Sequence, residues 1–270
     1  MRQLGNYDFL GWITQEATQA AGSKPFYNVA EHIPETTNIV APSGPMEGCW
    51  HESFRIFVIE HITGDTFDVE RLKKVLDAKR DGFQGATSVV NYLASHDRDH
   101  LLAEQAFRTL LKEAAFKGAK LGAVLLMTAM GVPMLWMGEE FGEYTRQTPN
   151  QQNHLNWSLL KQDLNRSLLD YYKSLIALRK SNPALHTENI EFFHENLEAK
   201  VLAYVRWNNG GSRVVVVANF SDHYLAGYKV PNFPAAGTWH EWMGNYNVEA
   251  GEDGLMIDLP EYEAKVLVWQ

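Results

Sequence analysis

A single cysteine, Cys49, occurs in the 270 residues. One cysteine excludes an intramolecular disulfide and a zinc site built from several thiolates, and it is typical of proteins from a reducing compartment. Residues 1–19 also lack the basic start, apolar core and small-residue cleavage site of a secretory signal peptide. From these absences we expect a cytoplasmic protein.

Long apolar runs and excess positive charge are missing as well. No apolar stretch reaches the length of about 20 residues that a membrane-spanning helix needs, so we expect no membrane partner. The formal net charge is −9 and no stripe of Lys or Arg is present, which argues against a nucleic-acid partner. With 45% apolar and 21% charged residues, the composition is that of a globular protein. A neutral or small-molecule substrate fits the net negative charge better than a nucleic acid does.

Apolar periodicity divides the chain into two regions near residue 188. Before it, strand-like and helical segments alternate, which predicts an α/β domain at 1–187. The predicted strands are 26–30, 49–54, 87–94 and 132–137, and the predicted helices are 7–21, 54–62, 68–78, 101–130 and 167–180. Periodicity leaves open whether the strands form an open sheet or part of a (β/α)8 barrel.

After residue 188 the pattern becomes one of short strands and turns. The predicted strands there are 201–207, 213–220, 224–230, 238–243 and 264–269. Turn residues such as Asn208-Asn209-Gly210-Gly211 separate them. The region 188–270 is therefore predicted to be an all-β sandwich domain.

Three of the predicted α/β strands end on acidic residues. Glu31-His32 follows the first strand, Ser95-His96-Asp97 follows the third, and Glu139-Glu140 follows the fourth. In a barrel the carboxyl ends of the strands build the active site, so these side chains would meet. A glutamate held partly away from water at such a place has a raised pKa, as a general acid needs.

Each of these patterns also has a purely structural interpretation. An acid at a strand end is, by roughly three to one, a solvated loop residue or a helix cap. Ser95, His96 and Asp97 could cap the helix that follows them. The aromatic residues could simply fill the core. Recurrence of one pattern after three strands favours a site, because the structural interpretation does not predict it.

The ordered set of motifs resembles glycoside hydrolase family 13, the α-amylase and branching-enzyme family. Asn28-Val-Ala-Glu31, Ser95-His96-Asp97 and 131–142 (GVPMLWMGEEFG) resemble its fifth, seventh and eighth barrel strands, and 201–221 is similar to its C-terminal β domain. The resemblance runs from about Phe9 to Gln270. It implies the C-terminal half of a (β/α)8 barrel, strands five to eight, at 1–187, followed by an all-β sandwich at 188–270.

The resemblance also implies retaining chemistry on α-glucans. In that mechanism a carboxylate attacks the anomeric carbon while a second acid protonates the departing oxygen. By this analogy Glu31 is the general acid/base, Asp97 stabilises the transition state and His96 contacts the substrate. Three further substrate-binding side chains are expected beside them: His32, Trp136 and Glu140. No cofactor or metal is expected.

The family's nucleophile has no counterpart in the sequence. It is an Asp two residues after an Arg on the fourth strand, and no Arg-x-Asp string occurs here; the acids before Glu31 are only Asp8 and Glu16. Four strands also cannot close a barrel. We therefore expect a fragment, split subunit or remnant of a longer enzyme, with an N-terminal half-barrel polypeptide as its partner.

Branching of 1,4-α-glucan, as in glycogen biosynthesis, is the favoured activity, and α-amylase-type hydrolysis is the alternative. Residues 224–242 loosely resemble the branching-enzyme β domain, although Arg98 stands where typical bacterial branching enzymes have Glu.

Two other classes of protein stay open. A metal-dependent hydrolase is suggested by His96 and His100, four residues apart as on one helix face. A noncatalytic glucan-binding protein is suggested by four tryptophans that could stack on sugars: Trp136, Trp157, Trp239 and Trp242.

Overall fold

A computed structural model describes residues 6–64, 67–106, 112–144 and 154–269. Its first region contains helices α1 (Tyr7–Ala21), α2 (Glu52–Thr63), α3 (Val69–Leu76), α4 (Leu101–Ala106), α5 (Lys112–Thr128) and α6 (Asp163–Ser181). It also contains strands β1 (Val29–Ala30), β2 (Gly48–His51), β3 (Val89–Asn91) and β4 (Val132–Pro133). In the described part of the chain, no helix is both long and apolar enough to cross a membrane.

The four strands form one parallel sheet in the order β1-β2-β3-β4. Helices α2 and α3 connect β2 to β3, α4 and α5 connect β3 to β4, and only a short 3-10 helix, Thr37–Val40, lies between β1 and β2. β3 is buried along its whole length. Burial on both faces is typical of parallel sheets that helices cover. The predicted α/β domain is therefore confirmed, and the sheet follows the sequential order of a barrel segment.

Several elements differ in extent from the predicted ones. β1 begins at Val29 because Phe26 and Tyr27 are 49% and 40% exposed rather than buried in the sheet. β2 ends at His51, where α2 begins, so the predicted strand 49–54 was too long. β4 covers two residues, and the apolar run 135–137 that follows it is not paired. The predicted helix 101–130 appears as α4 and α5, and residues 107–111 lie outside the described residues.

Helix α1 has well-defined ends but no buried residue. The Asn6 side chain accepts a hydrogen bond from the Phe9 amide at 3.0 Å, and the helix stops before Gly22, whose φ is +63°. Phe9, Trp12 and Ile13 are all largely exposed. The helix thus presents apolar side chains that no other described residue covers.

The second region is all β, as predicted. Its strands are β5 (Ile190–Asn196), β6 (Val201–Trp207), β7 (Arg213–Asn219), β8 (Leu225–Val230), β9 (Gly237–Glu241), β10 (Tyr246–Ala250), β11 (Leu255–Leu259) and β12 (Glu263–Trp269). Six of them form an antiparallel sheet in the order β10-β9-β12-β7-β6-β5, and β11 pairs with β8. β5, β10 and β11 were not predicted.

The valine run of β7 shows why both faces of this sheet are apolar. Val215 and Val217 pack with Trp239 in the core of the β domain. Val214 and Val216 point the other way and join the core that contains the helices of the α/β domain. Successive side chains of a strand alternate between faces, so four consecutive valines fill two cores. The two regions therefore share one continuous apolar contact.

The predicted domain boundary near Glu188 stays a prediction. A short 3-10 turn, Pro183–His186, leads into β5. Glu188 itself contacts the α/β domain, because it accepts a hydrogen bond from the Ala86 amide at 2.9 Å and pairs with Lys79 at 2.7 Å.

Two arginines bind carbonyl groups at the carboxyl end of α5, and one of them, Arg206, reaches it from the all-β region. Arg206 of β6 is 1% exposed and donates to the carbonyl oxygens of Thr128, Thr187 and Asn189 at 2.5, 2.6 and 2.9 Å. Arg179 of α6 donates to the carbonyl oxygen of Met127 at 2.6 Å. Burial lowers the pKa of both guanidinium groups to about 10, so both stay charged at neutral pH.

Replacing Arg206 with Met should destabilise the whole chain. The substitution leaves three carbonyl oxygens without their donor in a buried place, which costs about 3 kcal/mol of unfolding free energy. Arg166→Met, at an exposed position of α6, is the matched control and should cost about 0.5 kcal/mol or less. Urea unfolding followed by tryptophan fluorescence measures both. Equal, small losses would contradict a joining role for Arg206.

Candidate active site

Glu31, His96 and Asp97 converge at the carboxyl end of the parallel sheet. The Nε2 atom of His96 lies 3.6 Å from Oε1 of Glu31 and 3.6 Å from Oδ1 of Asp97. Glu31 follows β1, whereas the other two follow β3, two strands along the sheet. The structure thus brings together three residues that the sequence singled out, at the edge where parallel strands place their sites.

A tight turn presents His96 and Asp97. The Ser95 amide donates to the Arg98 carbonyl at 3.3 Å, and the Arg98 amide donates back to the Ser95 carbonyl at 3.2 Å. The Asp97 amide donates to the Ser95 hydroxyl at 3.2 Å. His96 and Asp97 therefore occupy the exposed middle of the turn, and the Ala103 and Glu104 amides in the first turn of α4 bond to the His100 carbonyl. The helix-cap interpretation of these residues is wrong.

Two tryptophans flank the His96 ring. The Trp50 ring meets it edge-on with centroids 5.6 Å apart, and the Trp136 ring lies 6.2 Å away. Trp136 was predicted to bind substrate, but Trp50 was not singled out. Its signal was strand alternation: in β2 it faces away from buried Cys49 and His51. An exposed polar group between indole rings has the composition of a sugar-binding surface.

The expected desolvation of Glu31 is not found. Its side chain is 41% exposed, and those of His96 and Asp97 are 49% and 60% exposed. At the carboxyl end of β1, no described residue covers the Glu31 carboxylate closely enough to shield it from solvent. The prediction failed because it assumed a covered strand end, whereas the described chain provides only one side of the site.

His32 and Glu140 make local bonds. Nδ1 of His32 lies 2.6 Å from the Pro34 carbonyl oxygen. Oε2 of Glu140 accepts from the Gly138 amide at 2.9 Å, and Glu140 borders a groove shared with Leu135 and Tyr172. The substrate-binding roles of His32 and Glu140 stay predictions.

Glu139, the neighbour of Glu140, is a buried acid. It is 5% exposed, its Oε1 accepts from the Tyr172 hydroxyl at 3.0 Å, and its Oε2 has no hydrogen-bond partner in the described part of the chain. Burial raises the pKa of Glu139 to about 8, although the Tyr172 hydrogen bond opposes the rise. The carboxyl group is therefore largely protonated at neutral pH.

This acid makes stability depend on pH in a defined direction. In the unfolded chain Glu139 loses its proton near the ordinary glutamate pKa of 4.5, whereas in the folded chain its pKa is about 8. The unfolding free energy should therefore fall between pH 4.5 and 8, by at most about 5 kcal/mol, and then level off. Glu139→Gln should remove this slope in urea unfolding across that range. Glu16→Gln on exposed α1 is the control, and a slope unchanged by Glu139→Gln would contradict the assignment.

The metal-ligand interpretation of His96 and His100 is wrong. Both residues precede α4, so they do not share a helix face. His100 is buried with Nε2 3.1 Å from the Met137 carbonyl oxygen, whereas His96 is exposed.

Two other groups of side chains have ligand atoms close enough for a cation. Within each group the atoms lie within 4.8 Å of one another. One group is Glu31, His96 and Asp97; the other is Glu35, His51 and Asp81. In the second group, Nε2 of His51 lies 2.8 Å from Oδ2 of Asp81, and Nδ1 lies 2.7 Å from Oδ1 of Asn91. These atoms are therefore already used in side-chain hydrogen bonds.

The four tryptophans proposed for sugar stacking have different surroundings. Trp239 is fully buried in the β domain, so that prediction is wrong for this residue. Trp242 donates its Nε1–H to the Ser174 carbonyl at 3.1 Å and packs at the contact between the two regions. Trp157 is exposed and stacks on Phe141 with centroids 5.2 Å apart. Of the four, only Trp136 lies beside His96.

Comparison with known proteins agrees with this architecture. Residues 193–270 match the family described as the α-amylase C-terminal all-β domain. Neopullulanase 2 of Thermoactinomyces vulgaris is 26% identical over 213 residues, which are 79% of this chain and 34% of that protein. A 1,4-α-glucan branching enzyme of Mesorhizobium japonicum is 32% identical over 131 residues, 46% of this chain and 17% of that protein.

Solved structures show the same fold. The α-amylase of Geobacillus thermoleovorans, in complex with acarbose, has a TM-score of 0.78 at 17% identity. The match covers 98% of this chain and 57% of that one. An Anoxybacillus α-amylase has a TM-score of 0.79 at 16% identity, over 96% of this chain and 55% of that one.

The parallel sheet with its strand-end acids and the following all-β domain define part of an α-amylase-type barrel with its C-terminal domain. Residues 193–270 therefore carry the C-terminal domain of the α-amylase family, and the chain as a whole is similar to members of that family, glycoside hydrolase family 13. It spans about a third or less of the length of these curated relatives, and about half the length of the matching solved structures.

Proposed function

We propose that this chain is the C-terminal part of a retaining α-glucan-active enzyme. The observation that carries the proposal is the convergence of Glu31, His96 and Asp97 beside Trp50 and Trp136. The indole faces suit the apolar faces of glucose rings, and the carboxylates suit a reaction that builds positive charge on the sugar. The acarbose complex of the Geobacillus α-amylase supports an oligosaccharide ligand.

In this function Glu31 is the general acid/base. It protonates the glycosidic oxygen as the bond to the anomeric carbon breaks, and it later removes a proton from the incoming water or sugar hydroxyl. Asp97 accepts hydrogen bonds from the hydroxyls of the distorted ring, and His96 donates to the same ring. The exposure of all three side chains leaves room for a sugar between them and a second carboxylate.

That second carboxylate, the nucleophile, comes from outside the described strands. A retaining mechanism needs it about 5 Å from the acid/base. β1 and β4 are the edge strands of the sheet, so each has an unpaired side. Exposed apolar side chains also occur in the segments next to these strands in sequence, with Phe9 and Trp12 on α1 before β1 and Met137 after β4. An N-terminal α/β half-barrel that pairs with both edges would supply an Arg-x-Asp strand next to Glu31.

We further propose that the transfer is branching of 1,4-α-glucan, as part of glycogen synthesis in the cytoplasm. The likeness to branching enzymes at 32% identity over 131 residues favours it. Hydrolysis is the alternative, and neopullulanase 2 is the relative with the longer matched region. Amylose separates them, because branching creates new linkages without increasing reducing ends, whereas hydrolysis releases reducing ends.

The isolated 270-residue chain should not turn over starch or glycogen. It lacks an Arg-x-Asp strand, and without a nucleophile the covalent step of a retaining reaction cannot occur. Reducing-end and branch-linkage assays on the purified chain measure this. Robust activity of the pure chain would refute the proposal that the nucleophile comes from outside the described strands.

Co-expression with the N-terminal half-barrel of a relative should restore turnover that depends on Glu31. In that complex Glu31→Gln should lower kcat by about 10²–10⁴ because the general acid is lost. Glu16→Gln, exposed on α1, is the matched control and should leave kcat unchanged. Binding of amylopectin that survives both Glu31→Gln and Asp97→Asn, with no turnover in any complex, would instead favour a noncatalytic glucan-binding protein.

A further inference from the structure

Arg98 closes the turn that carries His96 and Asp97, and its side chain reaches an acid on another strand. Its Nε donates to Oε1 of Glu52 at 2.8 Å. Glu52 is the first residue of α2, directly after β2, and is only 5% exposed. The turn on β3 is therefore fixed by its last residue to the end of the neighbouring strand.

The second oxygen of Glu52 is also occupied. Oε2 accepts a hydrogen bond from the hydroxyl of Tyr92, the residue directly after β3. The carboxylate thus bonds to the residue that begins the β3 loop and to the residue that ends the turn. Burial and the Glu52 hydrogen bond raise the pKa of the Tyr92 hydroxyl, so it stays protonated and keeps donating.

The backbone of Arg98 takes part in the same arrangement. Its amide and carbonyl form the two bonds with Ser95 that close the turn, while its side chain binds Glu52. Glu52 is buried and the Arg98 side chain is 36% exposed, so loss of Arg98 leaves a buried carboxylate without its charged partner, which is costly. The position of His96 and Asp97 relative to Glu31 therefore depends on the Glu52–Arg98 pair.

We propose that Glu52 is a positioning residue of the candidate active site, acting through Arg98 to fix the turn that presents His96 and Asp97. Its effect on glucan binding rests on the proposed function, whereas its effect on the order of the turn does not.

The test uses Glu52→Gln, Arg98→Met and the double variant of the 270-residue chain. Glu104→Gln is the matched control, because it removes the same charge from another ion pair, Arg55–Glu104 at 2.7 Å. Hydrogen exchange of the Arg98 amide is measured relative to the Val216 amide in the centre of the β sheet. The ratio separates loosening of the turn from a general loss of stability.

Two further readouts report on the site itself. Because the Trp50 and Trp136 rings lie near His96, we expect them to shift the NMR signals of its ring protons, and this shift should disappear if the turn moves. The affinity for maltotriose is measured by calorimetry. A residue that merely stabilised the fold would not change the His96 shift in a chain that remains folded.

We expect both single variants to raise the exchange ratio and to weaken maltotriose binding by about tenfold. The double variant should resemble each single variant, because the two residues act as one pair. Glu104→Gln should leave all three readouts unchanged.

Unchanged exchange and an unchanged His96 shift in both single variants would overturn the proposal. A wild-type chain that binds no maltotriose would contradict the glucan function, while the exchange ratio and ring shift would still decide the role of Glu52.

Discussion

The carboxyl end of α5 is one of the points at which the two regions of the chain are joined. The last carbonyl groups of a helix lack partners within it and carry a partial negative charge. Arg179 and Arg206 donate to these oxygens, and they need no carboxylate to be buried there. Arg179 also donates to the Gly131 carbonyl at 2.6 Å, immediately before β4. Helix α6 of the α/β region thereby helps to fix where β4 starts.

The sequence predicted elements well where local chemistry marks their ends. The bounds of α1 follow from a capping Asn6 and a terminal Gly22, and the prediction of 7–21 is confirmed. The extents of β1 and β4 were wrong, because an apolar run does not show which residues pair with a neighbouring strand. β10 gave only a weak signal because most of its residues are exposed. β11 alternates buried and exposed residues and could have been found.

The candidate site was predictable only in part. Glu31, His96 and Asp97 were found because ordered motifs resemble a known family, and parallel pairing explains why they meet. Glu52 could not be found in this way, because its burial depends on Arg98, 46 residues further along the chain. The exposure of Glu31 was also beyond prediction from local sequence, since shielding comes from whatever packs across the sheet end.

The place of β12 has a consequence for biosynthesis. It lies between β9 and β7, pairs with both, and brings Trp269 against Trp239. While the ribosome is making the preceding strands, β7 and β9 have no shared neighbour, and the nascent sheet consists of two separate hairpin groups. Only when residues 263–269 have emerged can these groups join, so the six strands must complete their fold in one late step rather than strand by strand.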